Sequence, residues 1–169
     1  MVIQVSEYDP VWPELARWAI DEVLAALPGR VTAMEHIGST AVPGLPAKPV
    51  IDLMAAVPSL DLVDDDALAE LGYRRIEPAM PERRFYRREG YHLHVVTSAS
   101  WDTRNQRLLR DHLRQHPADR DAYGRLKREL AAAGDDGDAY TRAKTALIQR
   151  LVDAARTARG LPLVDVWEE

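Results

Sequence analysis

Apolar residues follow two rhythms along this chain, and the change divides it near position 100. Asp9-Pro10 reads as an N-cap acceptor followed by proline at the first helical position. After it Trp12, Leu15, Trp18, Ala19 and Val23 recur at helical spacing until Pro28-Gly29 ends the run. A short strand over Val2 to Val5 is expected before that helix. From Val31 to Ile37 the pattern is that of a strand, and Gly38 to Pro49 reads as a turn, a short helical piece and a loop. Val50 to Val57 is nearly continuously apolar, as for a strand covered on both faces. Asp65 to Leu71 is a short helix closed by Gly72, and strands over Arg84 to Arg88 and Tyr91 to Thr97 meet through Glu89-Gly90 as a hairpin. From Thr103 onward the rhythm is helical: Arg104 to Gln115, Ala118 to Ala133 and Ala139 to Arg159, closed by Pro117, Gly134 and Gly160. Leu161 to Glu169 reads as a tail in which Val164 and Trp167 are placed to dock back. The expected architecture is α+β, one domain over 1–169, with a sheet-containing core over 1–100 and a helical part over 101–160.

Composition narrows the function. The chain has 169 residues, 46% of them apolar, and a formal charge of −5, which disfavours non-specific binding to nucleic acid or an anionic membrane. It has no cysteine, so thiolate chemistry is excluded. No apolar stretch approaches a membrane span, and MVIQVSEYDP does not read as a signal peptide. A cytoplasmic protein is the expectation.

Asp52 is the first candidate for chemistry. It interrupts an apolar strand and shares a face with Val50 and Met54, while Ile51 and Leu53 point the other way. A carboxylate there needs a partner: a cation-bound ligand, or an ion pair with Lys48 or with one of Arg83, Arg84, Arg87 and Arg88. His92 and His94 alternate with Tyr91, Leu93 and Val95, so both imidazoles leave one face of one strand. They are either metal ligands or hydrogen-bonded wall residues, and the metal reading requires their strand to neighbour that of Asp52. Glu35 and His36, adjacent and opposite in facing, can give at most one group to that face.

Gly38-Ser39-Thr40 is a turn able to approach phosphate closely, with two hydroxyls as donors, although the same triplet serves as an ordinary helix N-cap. Tyr123 and Lys127, four apart on one expected helix, are repeated as Tyr140 and Lys144 on the next. Both lysines fall inside apolar stripes, so each either snorkels to water or faces an anion. Arg74, Arg75, Arg83, Arg84, Arg87 and Arg88 concentrate positive charge at the hairpin, where alternation lets at most one strand pair face the site.

At these residues the chain resembles the GrpB family. The run YDPVWP, the stretch EHIGSTAVPGLPAKPVIDL, the strand HLHV, the segment RDHLRQHP and the paired Tyr-x-x-x-Lys helices carry the resemblance, which spans about Val5 to Ala155. It implies the polymerase-β-like fold of the nucleotidyltransferase superfamily, a mixed sheet with flanking helices followed here by a three-helix segment. In some relatives a similar domain is fused to a dephospho-coenzyme A kinase. The superfamily pattern is an apolar residue, Gly-Ser and, after a loop, a strand carrying two acids at alternate positions. Ile37, Gly38, Ser39 and Asp52 match it, whereas Met54 stands where the second acid belongs, and the later strand offers His92 or His94 in place of a third.

The resemblance thus implies a nucleoside triphosphate as partner, with transfer of a nucleotidyl group to a small-molecule acceptor. Gly38, Ser39, Thr40, Lys48, Tyr123, Lys127, Tyr140 and Lys144 would hold phosphate or substrate. Asp52, His92 and His94 would be the catalytic and metal-binding set. Thioether sulfur suits Mg²⁺ poorly, so Mn²⁺ or Zn²⁺ competes with a single Mg²⁺ there. Two alternatives follow from the same residues: a non-catalytic nucleotide-binding or regulatory module, and a metal-dependent phosphohydrolase.

Overall fold

Strand periodicity in the first half becomes one five-stranded mixed sheet in the order β1-β2-β5-β4-β3. This computed structural model describes residues 4–133 and 137–166, without the side chains at 79 and 137–141. The strands are β1 (Ala33–Ile37), β2 (Ile51–Val57), β3 (Arg74–Met80), β4 (Arg83–Arg88) and β5 (Tyr91–Thr97). The central pair, β2 and β5, is parallel; β1 with β2, β4 with β5 and β3 with β4 are antiparallel. The helices are α1 (Trp12–Ala26), α2 (Asp65–Glu70), α3 (Asn105–Gln115), α4 (Pro117–Ala132) and α5 (Gly137–Ala158).

Alternation along β2 sends its two faces to different covers. Ile51, Leu53, Ala55 and Val57 join Leu93 and Val95 under α1, where Trp12, Ala16, Ala19 and Val23 are buried. Met54 and Ala56 turn the other way and pack with Ile37 and Val96. The helical second half forms its own apolar cluster of Leu113, Tyr123 and Leu151 around Val42 and Leu45 of the loop after β1. That loop is therefore held between sheet and helices. No helix among the described residues is long and apolar enough to cross a membrane.

Several expectations are corrected. The helix start lies two residues later: Asp9 accepts a hydrogen bond from the Val11 amide in a turn, and α1 begins at Trp12 with Pro13 in its first turn. Trp18 is not on the core stripe; its side chain is 75% exposed. Strand β3 was not anticipated, because Arg-Arg-Ile-Glu-Pro lacks alternation; as the sheet's outer strand it tolerates a proline and a register irregularity between Ile76 and Met80. Of the expected N-terminal strand, Val2 and Ile3 lie outside the described residues, and Ser6 makes a single bridge to Ala47. The tail does dock: Gln149 Nε2 donates to the Val164 carbonyl and Arg156 to that of Pro162. Trp167 lies outside the described residues.

Candidate functional site

The site lies where β1 ends and β2 begins. Gly38 leaves β1 with φ 77 and ψ −176, a conformation that is essentially glycine's own. Space requires glycine as well, since a Cβ at this position would sit 2.6 Å from Asp52 Oδ2. Ser39–Ala41 then form a single 3-10 turn. Parallel pairing of β2 with β5 puts His92 beside Asp52 and His94 beside Met54. The condition for grouping the two imidazoles with the carboxylate is met.

Asp52 Oδ1 lies 3.2 Å from His92 Nδ1 and 3.8 Å from His94 Nε2. Burial pushes this carboxyl up, but hydrogen bonding from the His92 and His94 imidazoles outweighs it and holds Asp52 at about 2, so it is ionised at any ordinary pH. On the far side of the ring, Arg87 Nε donates to His92 Nε2 at 3.4 Å. Because Arg87 has no acceptor to offer, that contact places the imidazole proton on Nδ1, directed at Asp52. Phe85 stacks on His94 with centroids 4.8 Å apart and meets His92 edge-on.

Facing this strand pair are the lysines. Ser39, Thr40, Lys48, Val50, Asp52, His92, Lys127 and Lys144 line one cavity of about 260 Å³. Lys127 is only 5% exposed, donates from Nζ to Ser39 Oγ in a very short contact, and lies 4.6 Å from the centre of the Tyr123 ring. A close helix approach makes this reach feasible: a Cβ on Gly124, one turn earlier on α4, would meet Pro46 at 2.9 Å. Burial, aided by the nearby Lys144 charge, pulls the Lys127 amine down to about 7 against the opposing pull of Asp52. Lys144 is lowered too, by burial first.

The expected site residues divide accordingly. Ser39, Lys48, Asp52, His92, Lys127 and Lys144 come together, with Gly38 as the hinge beneath Asp52. Tyr123 supports Lys127 from outside the cavity wall, and His94 supports Asp52. Thr40 lines the cavity, but its hydroxyl is committed: it donates to the Val50 carbonyl at 3.3 Å and meets His36 Nε2 at 2.8 Å. Burial brings His36 down to about 4, and because the Thr40 hydroxyl proton goes to the Val50 carbonyl, the neutral ring donates from Nε2 to Thr40. Tyr140 lies outside the described side chains.

The donor set does not fit a catalytic metal. Among the described residues no group of three His, Asp or Glu side chains is arranged to hold an ion. Met54, two residues along β2 from Asp52, is fully buried in an apolar cluster. Glu35 pairs with Met54 in register and so faces the same side, yet Arg107 Nη2 and Arg110 Nη1 clamp it at 2.8 and 3.2 Å. His92 Nδ1 is turned to Asp52 as a donor. A single carboxylate among three lysines attracts an anion more than a second cation. Sequence alone does not reveal the Glu35 clamp, although Arg107 and Arg110, three apart on α3, are its signal.

The pattern that defines the GrpB protein family matches residues 2–154. The chain belongs to the GrpB family. A UPF0157 protein of Streptomyces coelicolor is 36% identical over 162 residues, covering 93% of this chain and 86% of that one. A crystal structure of the conserved protein GrpB from Enterococcus faecalis superposes with a TM-score of 0.84 at 30% identity, covering 93% of this chain and 99% of that one. The α+β mixed sheet with flanking helices is thus this family's architecture. A dephospho-CoA kinase of Mycobacterium tuberculosis is 42% identical over 74 residues, 41% of this GrpB chain and 18% of the kinase.

Proposed function

We propose that this GrpB protein is a binding module of nucleotidyltransferase fold that holds the phosphates of a nucleotide without metal-dependent transfer. The Gly38-Ser39 turn running into the strand of Asp52 supports the fold assignment. One observation carries the function: Lys48, Lys127 and Lys144 converge with Ser39 on a cavity lined, among the described residues, by a single carboxylate. In a metal-dependent transferase, cations bridging protein acids and phosphates neutralise charge. Here ammonium groups occupy that role. At about 260 Å³ the cavity is small for a whole nucleotide and sized for its phosphates, with the nucleoside lying outside.

Calorimetry with ATP, ADP and inorganic phosphate in excess chelator tests the reading. Binding without metal and without turnover is the expected result. Absence of binding, or nucleotidyl transfer or phosphoester hydrolysis that depends on Mg²⁺, Mn²⁺ or Zn²⁺, would rule it out and restore the catalytic alternatives.

A further inference from the structure

Ser39 and Lys127 form a pair whose geometry exceeds what anion binding needs. A lysine that only neutralises phosphate would point its ammonium into the open cavity. Lys127 instead places Nζ against Ser39 Oγ, and both side chains line the cavity. Other bases nearby are committed elsewhere: His36 to Thr40, and His92 to Asp52 and Arg87. We propose that Ser39 is a nucleophile with Lys127 as its general base, and that the cavity accepts an acyl phosphate whose acyl group passes to Ser39 Oγ. The choice of a phosphate leaving group rests on the phosphate-binding reading above; the pairing of Ser39 with Lys127 does not.

In the step, the neutral amine of Lys127 takes the Ser39 hydroxyl proton as Oγ bonds to the carbonyl carbon. The carbon–oxygen bond to phosphate then breaks, and phosphate leaves with the electron pair beside Lys48 and Lys144, taking the proton from Lys127 as it departs, so that the amine is neutral again. Water hydrolyses the acyl-serine with Lys127 again as base, giving a carboxylic acid and free Ser39. No redox change or metal is involved. Charged groups facing Lys127 are Lys144 on α5, Lys48 before β2 and Asp52 on β2, with His92 on β5 across the cavity. Burial and Lys144 keep the Lys127 amine near 7, so a large neutral fraction exists at neutral pH.

Acetyl phosphate is the probe, read by phosphate release and by mass spectrometry of the Ser39 peptide. Acetylation of Ser39, accelerating as pH rises through 7, is expected in the wild type, and Ser39→Ala removes it. Lys127→Arg retains a cation but cannot accept a proton, so it should slow labelling roughly hundredfold. Equal labelling of Ser39 in Lys127→Arg, or acetyl on Lys127 in place of Ser39, overturns the proposal. Calorimetry with inorganic phosphate separates the two readings. Phosphate binding without any Ser39 labelling refutes the dyad and leaves the binding module standing. Labelling of Ser39 by p-nitrophenyl acetate in a protein that binds no phosphate supports the dyad and refutes the acyl phosphate.

Discussion

Lys127→Met should make the protein more stable at neutral pH, by an amount that shrinks as pH rises. The wild-type amine drops from 10.5 to about 7 on folding, so between those values the unfolded chain binds more protons than the folded one. Stability therefore climbs with pH across that window, at up to about 1.4 kcal/mol per unit. At pH 7, where the folded amine is half protonated, the folding cost of this lysine is about 4 kcal/mol. Methionine is similar in shape and carries no such cost, but it forfeits the bond to Ser39, about 1 kcal/mol, and the contact with the Tyr123 ring, about another. The balance is a net gain on the order of 2 kcal/mol at pH 7, falling through zero before pH 10.5. Urea unfolding of both proteins at several pH values from 6.5 to 10.5 measures it. Phosphate affinity should fall in the same variant. If the stability difference does not change with pH, Lys127 is not the desolvated amine that this account requires.

Three further substitutions probe the rest of the site. Asp52→Asn removes the only carboxylate that lines the cavity among the described residues while keeping a partner for His92, so phosphate binding in chelator should tighten by about 1 kcal/mol or more; weaker binding would favour a metal-centred site. Gly38→Ala forces a side chain into positive φ and against Asp52 Oδ2, costing about 2 kcal/mol or more in chemical denaturation; an unchanged midpoint would show that the turn relaxes freely. Glu35→Gln leaves Arg107 and Arg110 without their shared charge partner and should cost about 1–3 kcal/mol, moderated because Glu35 is 28% exposed. Recovery by Glu35→Asp to near wild-type stability would argue that the clamp is loose.

How far the sequence reveals all this depends on the range of the interaction. Asp52 was legible because a charge inside an apolar run is a local anomaly, and its face followed from period-two alternation. The Lys127 and Lys144 positions were legible for the same reason on helices. The direct hydrogen bond of Lys127 to Ser39 is not legible, because it depends on α4 packing against Pro46 far along the chain. Thr40 shows the opposite failure. Its hydroxyl suits phosphate by type, yet the tertiary fold turns it to a carbonyl and an imidazole. Strand β3 escaped because an outer strand need not alternate.

The two departures from a metal-dependent site explain each other. Buried lysines are costly unless anions face them, and three ammonium groups around one described carboxylate repel a divalent ion. Conversely, in the nucleotidyltransferase-fold reading proposed above, Met54 supplies no charge to hold an ion, and bound phosphates would draw on cations from the protein instead. Glu35 makes the point independently. It is an acid on the correct face, in register with Met54, yet two arginines of α3 hold it as a structural joint between helix and sheet. Restoring an acid at position 54 would therefore not rebuild a metal centre by itself. Met54→Asp would place a carboxylate in the apolar cluster of Ile37, Ala56 and Val96, and the expected outcome is loss of stability rather than gain of metal affinity.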